Sequence, residues 1–424
     1  MPREDGRLTP TDIAHHLACR HRTQLERQRL AKTLHVDFQP DARLEAMKQR
    51  GLEHERRYLD SLRARGLEVV DLQHTRSPDE TLAAMRRGAA VIAQAPLGDH
   101  DLYGIADVLL RTDGSSALGS FHYVPIDTKL AAETKAGSLL QLLTYCELLH
   151  QMQGTVPRHF FVVTPQHEER YATADFAAFF RVVRDHLRHS HRCEPAPATY
   201  PEPVAHCDVC AYWLHCQQRR QKDDHPSLIA GAHRRHVHEL QHQGLPTLRA
   251  FAESTGLPAA PMHGRRETFA KLHHQARLQL EARSAPAIPV ERLPQESGRG
   301  LARLPQPSPG DVFLDFEGDP FVGEHGREYL TGFGYLETDG RFVHERLWAF
   351  DAGAEQRAVE QFLDFVHTRR QQHKDLHVYH FGAYEIAALR RLCNRYDTRT
   401  GVLDELLRGE RFVDLLRVVK EGLR

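Results

Sequence analysis

The chain has 424 residues, which at about 150 residues per domain predicts roughly three domains and argues against one small module. Its 56 lysines and arginines are balanced by 57 acidic residues, so a protein that binds nucleic acid through bulk positive charge is excluded. The hydrophobic fraction of 41% and the charged fraction of 27% are typical of a globular chain. We expect a cytoplasmic protein without a membrane span, because no apolar run is long enough to cross a bilayer and the start lacks a secretory signal.

The first half of the chain changes from helical to strand-like patterns. Residues 8–65 carry apolar side chains at helical spacing, with Thr9 as a capping residue. Four short apolar runs then predict strands, with a turn at 113–116 between the last two: 67–72, 89–93, 102–111 and 121–130. A helix at 137–152 and a buried strand at 158–164 follow. Strands mixed with helices in this way predict an α/β fold with helical flanks.

The second half contains a helical stretch, a linker and a second α/β pattern. Residues 223–283 read as helical, and 240–248 around Gly244 fits either a helix-hairpin-helix that binds a DNA backbone or an ordinary helix pair. Residues 284–310 hold six prolines and predict a linker. Strands are predicted at 311–316, 329–336, 342–348 and 377–380, and helices at 355–370 and 384–395. We therefore predict domains at 1–222, 223–283 and 311–424.

Asp107, Asp127 and Lys129 are the first candidate site. Asp107 interrupts an apolar strand, where an ionised carboxylate is costly unless it is paired. Asp127 and Lys129 lie two residues apart on the next predicted strand, so their side chains share a face. Two converging carboxylates make an oxygen-rich site for Mg²⁺ or Mn²⁺, and Lys129 would stabilise developing charge on a phosphate.

These residues, with Asp127-Thr128-Lys129 as the core, resemble the PD-(D/E)xK nuclease motif in its RecB-like branch. The resemblance implies a restriction-endonuclease-like core, with Asp107 and Asp127 as metal ligands and Lys129 as catalytic lysine. It also implies that Gln141 and Tyr145, one helical turn apart, orient substrate or water. Through Gly51-Leu52-Glu53-His54-Glu55 it makes His54 a metal ligand, with Glu55 a weaker candidate. The alternative is a set of ordinary hydrogen-bonded, ion-paired or surface residues.

Three of the seven cysteines cluster as Cys207-x₂-Cys210-x₅-Cys216, a spacing that predicts a metal site. RecB-like nucleases of the AddB type and the CRISPR-adaptation nucleases place one cysteine before the nuclease core and three after it. The resemblance implies that Cys19 is the fourth ligand and that the four hold a [4Fe-4S] cluster that staples the domain. Zn²⁺ also accepts four cysteines, so it remains the alternative.

A strand ending in Asp315-Phe316-Glu317 is the second candidate site. Asp315 and Glu317 share a face, and the pair resembles the first motif of RNase H-like 3′-5′ exonucleases of the DEDD (YprB) type, which use two metal ions. Glu385 stands where the second motif usually has an aspartate. The final motif of that family is not found before Arg424, so we expect a partial RNase H-like domain from a longer nuclease-helicase protein.

The leading interpretation is a metal-dependent DNA nuclease, an exodeoxyribonuclease acting in DNA repair or processing. One alternative is a non-catalytic DNA-binding or docking module for a helicase partner. Another is an RNase H-like 3′-5′ exonuclease that acts on RNA or DNA through Asp315 and Glu317. Strand preference, cleavage polarity and oligomeric state have no signature in the sequence.

Overall fold

The computed structural model describes residues 6–36, 42–131, 133–257, 265–323 and 325–424. The chain divides into two compact units, Met1–Leu272 and His273–Arg424, and each contains one mixed β-sheet together with helices. The predicted α/β fold class is therefore confirmed. None of the described helices is long and apolar enough to cross a membrane.

The first unit is built on a six-stranded sheet whose strands follow chain order. The strands are β1 (Val69–Asp71), β2 (Val91–Gly98), β3 (Tyr103–Ser116), β4 (Gly119–Thr128), β5 (His159–Val163) and β6 (Glu168–Ala172). β2, β3 and β4 form an antiparallel meander, whereas β1 pairs with β2 and β5 pairs with β4 in parallel. A parallel neighbour needs a crossover connection, and a helix supplies it between β4 and β5.

Helices cover both faces of this sheet. The helices up to residue 222 are α1 (Pro10–Ala18), α2 (Arg20–Leu30), α3 (Ala42–Ala64), α4 (Pro78–Arg86), α5 (Ala136–Gln153), α6 (Thr173–Arg192) and α7 (Trp213–Lys222), of which α1, α3, α4, α5 and α6 pack on the sheet. Thr9 caps α1 as predicted, and its hydroxyl accepts a hydrogen bond from the backbone of Asp12. α3 packs Leu59 and Leu62 into one core, while α1, α4, α5 and α6 contribute to a separate, larger core. The sheet is thus buried between two helical layers.

The predicted turn at 113–116 is wrong, because β3 continues to Ser116 and the chain turns at Ala117 and Leu118. Gly114 has φ +147° inside the strand, and a Cβ there would lie 2.7 Å from the ring of His122 on β4. The glycine therefore makes room for a side chain on the paired strand.

The helical prediction for 223–283 holds only in part. The described residues form α8 (Arg234–His242), α9 (Leu248–Ala252) and α10 (Arg266–Ala282), and 258–264 lie outside them. Gly231 and Gly244, with φ +81° and +75°, interrupt the helical pattern because such backbone angles do not continue a helix.

The second unit has a five-stranded sheet in the order β11-β10-β7-β8-β9. Its strands are β7 (Val312–Asp319), β8 (Arg327–Leu336), β9 (Phe342–Trp348), β10 (Val378–His380) and β11 (Phe412–Asp414), and its further helices are α11 (Ala352–Gln372), α12 (Tyr384–Tyr396), α13 (Thr400–Arg408) and α14 (Leu415–Gly422). β7 to β9 form an antiparallel meander, and β10 and β11 run parallel to β7. The proline-rich segment 284–310 belongs to this unit, since Glu291 and Leu293 pair through their backbones with Arg424 and Gly422.

Candidate active site

Two acidic side chains and a lysine meet where β3 and β4 run side by side. Thr128 donates to Asp107 Oδ2 from its backbone nitrogen, at 3.0 Å, and from its hydroxyl, at 3.3 Å. Lys129 Nζ lies 2.7 Å from Asp127 Oδ2. Strand register therefore brings Asp107 to Asp127, which follows it by twenty residues in the chain, and to the nearby Lys129.

Burial and like charge leave the two carboxylates short of positive charge. Asp127 is 5% exposed. Its pKa is raised, first by burial and then by the Asp107 carboxylate, and the Lys129 ammonium only partly opposes the shift. Burial lowers the pKa of Lys129, but Asp127 and Asp107 outweigh that effect and hold it above its ordinary value. One ammonium thus faces more than one carboxylate, an arrangement that an added cation would stabilise.

Helix α3 adds a third carboxylate. The pKa of Glu55 is raised to about 7, first by burial and then by Asp107, while a hydrogen bond from Gln94 and the charge of Lys129 oppose the rise. His54, the neighbouring residue, is buried and has Nε2 3.1 Å from the carbonyl oxygen of Val163 on β5. Glu55, which the sequence made the weaker candidate, is therefore the residue in the electric field of the acidic pair. His54 as a metal ligand stays a prediction.

Tyr145 lies close to the acidic pair, and Gln141 contacts α1. The Tyr145 hydroxyl donates to the carbonyl oxygen of Ile105 at 2.6 Å. Burial, then Asp107 and Asp127, raise the pKa of Tyr145 well above its ordinary value, so it stays a neutral donor. Gln141 donates its amide to the Thr11 hydroxyl at 3.4 Å. A role for either residue in orienting substrate stays a prediction.

The sheet departs from regular pairing at this site. Ala93 pairs with Val108 and Ala95 with Ala106, but no pairing joins the intervening Gln94 and Asp107. Gln94 has φ +50°, a conformation that costs a non-glycine residue about 1–2 kcal/mol. Sequence analysis missed Gln94, although a polar residue inside the apolar run Val91-Ile92-Ala93-Gln94-Ala95 was a usable signal.

The side chains of β2 and β3 lose their alternation at the same two positions. On β2, Ile92 and Ala95 lie in the larger core, three residues apart, and on β3 so do Ala106 and Leu109. Regular strands would send residues three apart to opposite faces. The irregularity at Gln94 and Asp107 therefore allows two polar side chains within strands that are otherwise apolar.

The donor set at this site fits a divalent cation of the Mg²⁺ or Mn²⁺ type. Carboxylate oxygens are the ligands that such hard ions prefer, and the carboxylates present carry more negative charge than Lys129 balances. Asp127 Oδ2 is buried and, although close to Lys129, accepts no well-aligned hydrogen bond from the described residues. Within the described ranges, no three His, Cys, Asp or Glu side chains already have a metal-binding arrangement, so ligand side chains would have to adjust on binding.

The four predicted cluster cysteines line one small cavity. Cys19 follows α1, while Cys207, Cys210 and Cys216 come from the segment that ends in α7. None of the four forms a disulfide bond. Burial raises the pKa of Cys216 to about 12, and the other three cysteines add to the rise. This thiol set fits a metal centre, because thiolates in one cavity destabilise one another unless a cation lies between them.

Two N–H groups are directed at the cysteine sulfurs. Arg22 Nη1 lies 3.4 Å from Cys210 Sγ, and the backbone nitrogen of Val204 lies 3.5 Å from Cys207 Sγ. Hydrogen bonds of this kind are common around metal-bound thiolates and tune their potential. Cys146 is buried in the larger core of the first unit, and Cys393 is buried in the core of the second unit.

In the second unit, Asp315 and Glu317 lie on the exposed face of β7, while Leu314 and Phe316 face the core. Glu385 on α12 is 4% exposed, and its pKa is raised by burial, with Asp315 adding to the rise. His380 Nδ1 lies 3.5 Å from Glu385 Oε2. Asp315 and Glu385 are therefore brought within electrostatic range of each other.

Comparison with protein families matches residues 12–217 to the PD-(D/E)XK nuclease superfamily and residues 312–423 to the RNase H superfamily. No curated protein matches the chain. Among solved structures the chain is similar to the crystal structure of SSO0001, with 14% identity, a TM-score of 0.24, and coverage of 51% of this chain and 89% of that one. That likeness is too weak to carry an argument. The two family matches indicate nuclease activity and a nucleic-acid substrate.

Proposed function

We propose that this chain, which carries one domain of the PD-(D/E)XK nuclease superfamily and one of the RNase H superfamily, is a metal-dependent DNA nuclease that hydrolyses phosphodiester bonds at the first domain. The observation that carries the proposal is the convergence of Asp107, Asp127 and Lys129 in a buried, acid-rich position. Titratable groups whose pKa values are shifted by burial together with a specific charged neighbour are concentrated at functional sites.

Asp107, Asp127 and Glu55 would hold the divalent cation, which supplies a positive charge to polarise the scissile phosphate and to activate a water molecule. Thr128 fixes the Asp107 carboxylate through two hydrogen bonds. Lys129 has a side chain that is 32% exposed, so its ammonium can reach a phosphate while it remains close to Asp127. There it would stabilise the negative charge that develops during hydrolysis. Tyr145 donates its one hydroxyl proton to Ile105, so its oxygen would accept a hydrogen bond from a water molecule at the site and orient it.

The test is degradation of end-labelled single- and double-stranded DNA with Mg²⁺ or Mn²⁺ by the full chain and by Lys129→Ala. We expect the variant to lose at least about 100-fold in rate, the usual size of such a contribution. Lys135→Ala is the matched control, because Lys135 is an exposed lysine at the start of α5. Equal cleavage by the wild type and Lys129→Ala would refute the assignment.

We propose that Cys19, Cys207, Cys210 and Cys216 hold a [4Fe-4S] cluster, with Zn²⁺ as the alternative. The shared cavity and the N–H donors near Cys210 and Cys207 support a metal-thiolate site. Metal analysis of protein purified without oxygen distinguishes the two ions. About four iron atoms per chain support the cluster, whereas one zinc favours the alternative. Protein that contains neither metal would contradict both.

A second candidate function is a 3′-5′ exonuclease in the second unit that acts on RNA or DNA. The proximity of Glu385 on α12 to Asp315 on β7 favours it, because two neighbouring carboxylates can bind a metal ion together. This reading predicts that Asp315→Asn, and not Lys129→Ala, abolishes cleavage. If neither substitution changes an observed DNA affinity and no cleavage occurs, the chain acts as a docking module for a partner such as a helicase.

The finer parts of the function rest on the sequence resemblance. They are exodeoxyribonuclease specificity, a role in DNA repair and a helicase as partner. A cytoplasmic location is also proposed, independently of that resemblance. An assay with circular and linear DNA tests the exodeoxyribonuclease specificity, because an exonuclease degrades only the linear form.

A further inference from the structure

Gln94 has no role in the mechanism above, yet it contacts a candidate metal ligand. Its Nε2 donates to Glu55 Oε1 at 2.5 Å, which joins β2 to α3. Glu55 in turn lies in the electric field of Asp107 and Lys129. The amide of Gln94 therefore holds one oxygen of a carboxylate on α3 that interacts electrostatically with Asp107 and Lys129.

The backbone of Gln94 is what makes this contact available. With φ +50°, Gln94 stands in a left-handed conformation that glutamine rarely adopts, opposite Asp107 in the unpaired gap between β2 and β3. Val91 and Ala93, on the same strand, pack in the core that includes α3, whereas Ile92 and Ala95 pack in the other core. The irregular backbone at Gln94 turns its side chain to the α3 side of the sheet, where Glu55 lies.

We propose that Gln94 is a positioning residue, which orients the Glu55 carboxylate so that Glu55, Asp107 and Asp127 together bind one divalent cation. The inference rests on the proposed nuclease function and deepens it. Partners that orient metal ligands are worth about 10–100-fold in metal affinity. Strained backbone that persists in a protein is concentrated at functional sites, which agrees with this assignment.

Two substitutions separate the effect of the Gln94 amide on metal binding from the effect of its backbone on stability. Gly accepts φ +50° without strain, so Gln94→Gly removes the amide and at the same time relaxes the backbone. Gln94→Met keeps the side-chain length and the strained backbone but removes the donor. If the amide matters only through Glu55, both variants weaken metal binding to the same extent while only Gln94→Gly gains stability.

The experiment measures Mn²⁺ binding to the full chain by electron paramagnetic resonance of the free ion, so it does not depend on activity. The variants are Gln94→Gly, Gln94→Met, Glu55→Gln and the double variant Glu55→Gln with Gln94→Gly. Glu53→Gln is the matched control, because Glu53 is an exposed carboxylate on the same helix. Melting temperatures are recorded for each protein in EDTA.

We expect both Gln94 variants to bind Mn²⁺ about 10-fold more weakly than the wild type, with Glu53→Gln unchanged. The double variant should bind no more weakly than Glu55→Gln alone, because Gln94 acts through Glu55. In cleavage assays a higher Mn²⁺ concentration should restore kcat, with KM for DNA unchanged. Unchanged Mn²⁺ binding in the Gln94 variants would overturn the proposal. So would a double variant whose loss of Mn²⁺ affinity equals the product of the losses in Glu55→Gln and Gln94→Gly.

Failure of this inference is separable from failure of the proposed function. If Lys129→Ala abolishes cleavage but the Gln94 variants bind Mn²⁺ normally, the nuclease assignment stands and the role of Gln94 is refuted. If the Gln94 and Glu55 variants lose Mn²⁺ binding although Lys129→Ala cleaves normally, the positioning role stands and the proposed role of Lys129 is refuted.

Discussion

Asp127→Asn should make the metal-free protein more stable and at the same time inactive. Asp127 is 5% exposed and lies near Asp107, and Lys129 is the cation paired with it. In the folded state Asp127 must either carry an incompletely compensated charge or keep a proton that the unfolded state loses, and either option costs stability, of which the pairing with Lys129 returns a part. We therefore expect the amide to raise the free energy of unfolding in EDTA by about 1–3 kcal/mol, or the melting temperature by about 2–10 °C.

In the presence of the metal ion, the wild type should become more stable than Asp127→Asn. At 100 times its dissociation constant, a cation bound only by the folded state adds about 2.7 kcal/mol to the stability of the wild type. Asp127→Asn lacks a ligand and should gain much less. The melting curve in EDTA thus measures the electrostatic cost of the acidic cluster without metal, and the curve in Mn²⁺ measures how much metal binding stabilises the protein.

The pH dependence follows from the raised pKa of Asp127. Between its ordinary value of 3.8 and its raised value of about 8, the folded state keeps a proton that the unfolded state has lost. The stability of the wild type in EDTA therefore falls as pH rises from about 4 to about 8, and the advantage of Asp127→Asn widens over the same window.

The control for this series is Asp60→Asn, since Asp60 is exposed and forms a surface pair with Arg63. It should change stability by less than about 1 kcal/mol at any pH and with or without metal. An Asp127→Asn protein that melts below the wild type in EDTA, or a wild type that Mn²⁺ does not stabilise, would refute the reasoning.

Three further predictions concern other parts of the chain. Cys207→Ser should lower the melting temperature of the first unit and abolish bound iron, and retained iron with unchanged melting would count against the staple. Gly104→Ala should cost about 1–3 kcal/mol, because its Cβ would lie 2.7 Å from Pro10 and 3.0 Å from Tyr145, and denaturant unfolding measures it. Glu385→Gln should raise the stability of the second unit while weakening any metal binding at Asp315, as calorimetry in EDTA and in Mn²⁺ can show.

Local sequence patterns were sufficient for the acidic pair and for most elements that position it. An aspartate inside an apolar strand, followed by Asp127 and Lys129 two residues apart, needs only the two-residue period of a strand to be interpreted. Likewise Thr9 predicted the start of α1 because capping depends on residues within one turn. The two-residue period does not predict which way a side chain points where the strand pairing is irregular, as at Gln94 and Asp107. The contact between Gln94 and Glu55 therefore could not be predicted from the sequence pattern.

Other errors have equally local causes. Gly114 was interpreted as a turn residue, but only the paired strand, through the His122 ring, shows why a glycine is needed there. α6 was not predicted, although Phe180, Val183 and Leu187 are buried at helical spacing. The electrostatic interaction of Glu55 with Asp107 depends on the placement of α3 against the sheet, which no short-range pattern encodes.

The cysteine cavity and the acidic cluster are connected through α1, which gives the proposed metal-thiolate site a consequence for catalysis. Cys19 directly follows α1, and that helix contacts the active-site elements at two places. Thr11 accepts a hydrogen bond from Gln141, and Pro10 packs where a Cβ on Gly104 would collide with it and with Tyr145. A cluster that binds Cys19 together with Cys207, Cys210 and Cys216 would hold α1 against α5 and so restrain Tyr145. Loss of the cluster should therefore reduce kcat through the position of Tyr145, even though no cysteine contacts the acidic residues among the described contacts.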